Sequence, residues 1–143
     1  MAVAARVRHS VNQSVPNATH FPLALNIIDF DTDNITATAN RLTIITAGIY
    51  CVIGQVRFAA NGVGTRQILI RRNGINYLAI ASEDGQKAPG QTTTIIASTL
   101  FQLVAGDYLE LFVFQDSGAG LDVLTSEPYP GKYYTPVLAA ALF

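Results

Sequence analysis

The chain has 143 residues, half of them hydrophobic and only 13% charged, with a net charge of −1. That length suits one domain that closes a core without staples. The neutral balance excludes the basic field that nucleic acid needs and the acidic field that a cationic partner needs. A typical soluble domain is about 25% charged, so this shortage of charge predicts a surface largely hidden in an assembly.

The first ten residues, MAVAARVRHS, place Arg6 and Arg8 where a signal peptide needs an apolar run. The expectation is a protein made and used without Sec export. No run approaches the roughly 20 apolar residues of a membrane-spanning helix. Val3–His9 reads as a first strand, but Val11 to Ala18 is polar and contains Pro16. Residues 1–18 are therefore read as a partly extended N-terminal arm. Thr19–Asp29 reads as the next strand. Asp29, Asp31 and Asp33 then alternate like the opening of a calcium loop. An EF-hand needs Gly and Glu where Asn34 and Asn40 stand, so these three metal candidates compete with a plainer reading, an acidic surface loop.

Arg41–Thr46 and Gly48–Ala60 read as two strands joined by a tight link. Along the second, Tyr50, Val52, Val56 and Phe58 point one way, with Gly54 among them. Ile49, Cys51 and Ile53 point the other way, followed by Gln55 and Arg57. A sandwich strand needs one apolar face, so a second apolar face implies a second partner, in a small all-β domain often another subunit. Cys51 is the only cysteine, which excludes an intrachain disulfide and reads as a buried structural thiol.

Thr65–Arg72 and Ile75–Ala81 follow, with hairpin signals at Asn61-Gly62 and Asn73-Gly74. Arg57, Arg66, Arg71 and Arg72 fall on adjacent strands, either as a cluster for an acidic partner or as partners of Asp and Glu at the assembly edge or the solvent face. Gln91–Leu103 sets Ile95, Phe101 and Leu103 against Ile96 and Leu100. Asp107–Gln115 follows a Gly106 turn. Lys132–Phe143 is again two-sided: Tyr133, Val137 and Phe143 against Tyr134, Leu138 and Leu142. Its centre, Ala139-Ala140-Ala141, allows close backbone approach. Tyr129, Tyr133 and Tyr134 make an aromatic loop suited to a carbohydrate or to a neighbouring subunit.

Helical periodicity is absent, and nine or ten strands in one domain predict an all-β antiparallel sandwich or jelly roll. The two-sided strands predict one sheet with a core face and an interface face. The interface set is Tyr50, Val52, Val56, Phe58, Tyr133, Val137 and Phe143, although alternation alone fits either side. His9 and His20 lack Cys or His at ligand spacing. No G-x-S-x-G elbow occurs, and the Ser and Asp residues sit in turns. The expectation is a protein without catalysis or cofactor.

Leu42, Gly48 and Tyr50 have the spacing of the central signature of C1q domains. Arg72-Asn73-Gly74 resembles that family's lysine-asparagine-glycine hairpin. Leu103 to Leu111 resembles its leucine-x-x-glycine-aspartate strand, and Val137 to Phe143 its last strand. The chain is similar in particular to the bacterial and phage branch of C1q-like domains, through Phe30-Asp31-Thr32-Asp33, Arg41-Leu42-Thr43-Ile44, Ala47-Gly48-Ile49-Tyr50 and Gln115-Asp116-Ser117-Gly118. The resemblance implies a ten-strand TNF/C1q jelly roll, a homotrimer, and a binding or structural role rather than chemistry.

The function expected is a trimeric structural protein of a bacteriophage virion, decorating the capsid. Its partners would be itself and the major capsid protein or another virion protein, without nucleic acid or membrane. It would be located in the virion, after assembly in the host cytoplasm. The alternative is a receptor- or carbohydrate-binding head of a tail fibre or bacterial surface protein, located outside the cell or on its surface.

Overall fold

Strand-forming residues fill almost every segment, and in the computed structural model they assemble into two antiparallel sheets packed face to face. The structure describes residues 2–125 and 134–143. Twelve strands occur among them: β1 (Ala4–Arg8), β2 (Gln13–Val15), β3 (Phe21–Pro22), β4 (Ile27–Asp31), β5 (Leu42–Thr43), β6 (Gly48–Phe58), β7 (Thr65–Arg72), β8 (Asn76–Asp84), β9 (Thr93–Leu103), β10 (Tyr108–Gln115), β11 (Leu121–Val123) and β12 (Val137–Leu142). The count exceeds the expected ten through short pieces such as β2 and β11.

The seven-stranded sheet runs β2-β11-β6-β12-β1-β4, with β9 on the other edge of β6. The five-stranded sheet runs β3-β10-β7-β8, with β5 also on β10. All pairings are antiparallel. Between the sheets lie Tyr50, Val52, Val56 and Phe58 from β6, with Ile68 and Ile70 from β7 and Leu109, Leu111 and Val113 from β10. Gly54 makes room there, since a Cβ at that position would stand 2.8 Å from Leu111 Cδ1 and 3.2 Å from Ile68 Cδ1.

The described part of the expected arm, residues 2–18, does not stand apart from the sandwich. β1 pairs with β12 on one side and β4 on the other, and β2 pairs with β11. Ala5, Val7 and Val15 belong to the core, which outweighs the polar composition of the segment between them. The predicted strand Thr19–Asp29 is two strands in different sheets. The chain leaves the five-stranded sheet after Pro22 and joins the seven-stranded sheet at Ile27. The Gln13 amide secures this crossing: its Oε1 accepts from the Ala24 N–H at 2.7 Å, and its Nε2 donates to the Ala24 carbonyl at 2.9 Å.

The Asn73-Gly74 turn forms as expected, with φ of 54° and 67°. Asn61-Gly62 does not form a tight turn. The β6–β7 connection spans residues 59–64, and Gly64 supplies the positive φ of 74°.

Candidate functional site

The side of β6 facing away from the core is the outstanding surface. Ile49 is 51% exposed and Ile53 40%, on a strand whose opposite side is fully buried. Ladder register shows what lies beside them. Cys51 pairs with Leu100 and with Ala141, Ile53 with Ser98 and Ala139, and Gln55 with Ile96. Ile96 and Leu100 are 56% and 58% exposed. Phe30 joins through Arg6, which pairs with Ala139. With Ala4, Cys51, Ile53, Ala139 and Ala141, Phe30 lines a hollow of about 100 Å³. The result is an apolar surface spread over β9, β6, β12 and β4.

Charge frames this surface. Asp29 accepts from Arg6 Nη1 and, at 2.8 Å, from Arg8 Nε. At the upper end of β6, Arg57 Nη1 donates to the Tyr134 hydroxyl at 2.8 Å, and its guanidinium carbon lies 5.5 Å from that ring centre.

The interface set read from the alternation is corrected here. Tyr50, Val52, Val56 and Phe58 face inward with no exposure, because the five-stranded sheet covers that side of β6. The Tyr50 hydroxyl donates to the Thr46 carbonyl at 2.6 Å, and burial pushes its pKa up, with the Asp33 charge adding to the effect. Val137 is also buried. Phe143 is 80% exposed, just beyond β12, its N–H donating to the Ile49 carbonyl at 2.9 Å. Tyr133, like Tyr129, lies outside the described residues. The outward set comprises Ile49, Cys51 and Ile53, with Cys51 half-buried on that face rather than in the core.

Among the described residues no group of three acidic, His or Cys side chains is placed to hold a metal ion, and the three aspartates turn to different partners. Asp29 is engaged by arginines. Asp33 Oδ2 accepts from the Thr46 hydroxyl at 2.9 Å. Asp31 accepts from the N–H groups of Asp33, Ile35 and Thr36 at 3.3, 3.0 and 2.9 Å, and from the Thr36 hydroxyl at 2.5 Å. Burial raises the Asp31 pKa, but these hydrogen bonds outweigh it and hold the carboxyl below its ordinary value.

The four arginines likewise do not form one cluster. Arg57 lies on the outer face of the seven-stranded sheet. Arg66 is fully buried, donating to the carbonyls of Asn61 and Val63 at 2.8 Å, its guanidinium carbon 6.0 Å from the Phe58 ring centre. Burial lowers its pKa, and the Asp116 charge opposes that shift. Arg71 sits 4.9 Å from the Phe112 ring centre, and Arg72 5.0 Å from that of Phe101. Each is an aromatic-packed side chain serving its own locality. Sequence reasoning missed Asn73 as a clamp: its Nδ2 donates to Asp107 at 2.7 Å, and its Oδ1 accepts from the Tyr108 N–H at 2.9 Å. The Asn-Gly turn signal marked the residue but not these partners.

No family model matches the chain, and no curated protein matches it. Solved structures do. Murine APRIL at pH 8.5 aligns over 100% of both chains with a TM-score of 0.72 and 13% identity. The same protein at pH 5.0 gives 0.73 and 14%, again over 100% of both. Eiger TNF from S. frugiperda gives 0.63 and 12%, covering 99% of this chain and 92% of its own. At such identities the likeness is one of fold, and the fold is the TNF-like jelly roll.

Proposed function

We propose that this chain is a non-enzymatic structural protein that acts as a homotrimer, and that its place is on a bacteriophage virion, decorating the capsid. The observation that carries the trimer is the apolar outer face around Ile49, Cys51, Ile53, Ile96 and Leu100. A contiguous exposed apolar surface of this kind marks an interaction site. TNF-like folds typically form homotrimers, which makes a second and third copy the natural cover.

The virion assignment rests on the sequence motifs shared with the phage branch of C1q-like domains. It is supported by the low charge, which suits burial among other proteins. A trimer also suits capsid positions of local threefold symmetry, where three identical patches meet three surrounding subunits. A non-enzymatic role is favoured because the buried polar side chains on display serve loops and turns. Gln115, for example, donates to the carbonyls of Val15 and Ala119 at 2.9 and 2.7 Å.

Light scattering on the purified protein is expected to give three times the chain mass; a monomer overturns the trimer and with it the virion role. Mass spectrometry of purified particles of the encoding phage is expected to find the chain in stoichiometric amount. Absence from the particles, together with binding of the trimer to cell-surface glycans, would replace decoration by recognition.

A further inference from the structure

We infer that the hollow between β4 and the loop of residues 36–41 is a binding site for a small neutral sugar. The hollow lies within one chain, so it does not rest on the function proposed above.

The hollow exists because the sandwich is left open at one end of a sheet. β4 is the last strand of the seven-stranded sheet. Its Ile28 pairs with Val7 of β1, so the two side chains share the side that faces the other sheet. Val7 is 4% exposed and Ile28 56%. The cover of the five-stranded sheet therefore ends between them. Residues 36–41 pass beside this gap as a loop. Together with Val7, Leu25 and Ile28 they enclose an open hollow of about 360 Å³. Small-molecule sites begin at about 300 Å³.

The wall of the hollow is held at both ends by the chain itself. At the start of the loop Ile35 is fully buried, and the N–H and hydroxyl of Thr36 donate to Asp31 at 2.9 and 2.5 Å. At the end the Asn40 Oδ1 accepts from the Leu25 N–H at 2.7 Å. That bond fixes the Asn40 amide, and its Nδ2 has no acceptor among the described residues. Between the anchors Ala37, Thr38 and Ala39 are exposed. Their backbone N–H and carbonyl groups make no hydrogen bond among the described residues, and neither does the Thr38 hydroxyl.

The lining selects the class of ligand. Its floor is aliphatic, and no aromatic ring lines it on which a base could stack. No acidic side chain lines it either, so nothing there attracts a cation. Its one charged residue is Arg41. That guanidinium lies 3.9 Å from the Glu110 carboxylate and 3.9 Å from the centre of the Tyr108 ring, so its charge is already answered within the chain. What remains is an aliphatic floor under a wall of free amide, carbonyl and hydroxyl groups. A neutral sugar ring matches both parts. Its C–H face covers the aliphatic floor, and its hydroxyls exchange hydrogen bonds with the wall in place of water.

The test is a titration of the isotope-labelled protein with glucose, galactose, mannose and N-acetylglucosamine, read from the backbone amide signals. At least one sugar is expected to move the Ala37, Thr38 and Ala39 signals to saturation. Ala37→Trp and Ala39→Trp fill the hollow from exposed positions, and circular dichroism confirms the fold of each variant. Each is expected to weaken that sugar by about tenfold or more, and Thr38→Ala by about threefold. No saturable movement with any of the four sugars overturns the site. Binding that survives both tryptophan variants places the sugar elsewhere and also overturns it. Equal movement with cyclohexanol, or a preference for glucuronate or glucosamine, overturns the neutral sugar as ligand. None of these outcomes bears on the number of copies in the assembly.

Discussion

Asp31 shows how a single side chain can look like a ligand and act as a brace. Its two oxygens gather three backbone N–H groups and one hydroxyl from the turn that follows β4. Asp107 does the same for the turn before β10: burial raises its pKa, and the Val104 N–H, the Asn73 amide and the Arg72 charge together lower it below the ordinary value. Both folded-state pKa values lie below those of the unfolded chain. Their stabilisation is therefore present above the unfolded value of about 3.9 and is lost as pH falls through the lowered folded value. Replacement Asp31→Asn should cost about 1–3 kcal/mol at pH 7, since the amide cannot accept as many bonds. In urea titrations the gap to wild type should narrow below about pH 4; a gap constant with pH would mean that the carboxylate charge is irrelevant. The spacing of Asp29, Asp31 and Asp33 was visible in the sequence. Their partners were not, because Arg6, Thr36 and Thr46 reach them only through the folded turn and the β1–β4 pairing.

β6 carries the element-scale lesson. Its alternation was legible residue by residue, and the two apolar sides are real. Which side is covered by the chain itself depends on the five-stranded sheet, contributed by residues far away in sequence. The two sides should respond differently to substitution. Phe58→Ala should lower chain stability by about 3–5 kcal/mol through lost burial and a cavity, while the folded fraction still associates. Ile53→Asp, on the outer side, should leave the isolated chain folded and separate the copies, read as monomer mass in light scattering. Equal loss of stability from both would place Ile53 in the core and refute this division. The neighbouring turn follows the same pattern. Asn73-Gly74 needs only its own backbone angles and was legible, whereas the β6–β7 connection depends on Arg66 gripping the Asn61 and Val63 carbonyls.

At the scale of the whole molecule, the N-terminal segment joins the jelly roll rather than leaving it. β1 lies between β12 and β4, so it bridges one edge strand to the rest of the seven-stranded sheet. Deleting residues 2–15 should therefore abolish folding, leaving no cooperative thermal transition in circular dichroism. A deletion variant that still melts cooperatively would restore the idea of a separable arm. The same closure leaves Cys51, read as a buried thiol, half-buried on the outer face beside Leu100 and Ala141.

Residue patterning alone was enough for the all-β class, the parity of the long strands, the Asn73-Gly74 turn and the presence of one apolar face too many. Each of these is local: a period of two residues, or a pair of backbone angles. The packing of the two sheets set Ile49, Cys51 and Ile53 outward and Tyr50, Val52, Val56 and Phe58 inward. It also split Thr19–Asp29 between two sheets and drew Ala4–Arg8 and Gln13–Val15 into strands. The cause is symmetry. An alternating strand is the same read from either side, and that equivalence ends only when a second sheet, built from distant parts of the chain, packs against one of them.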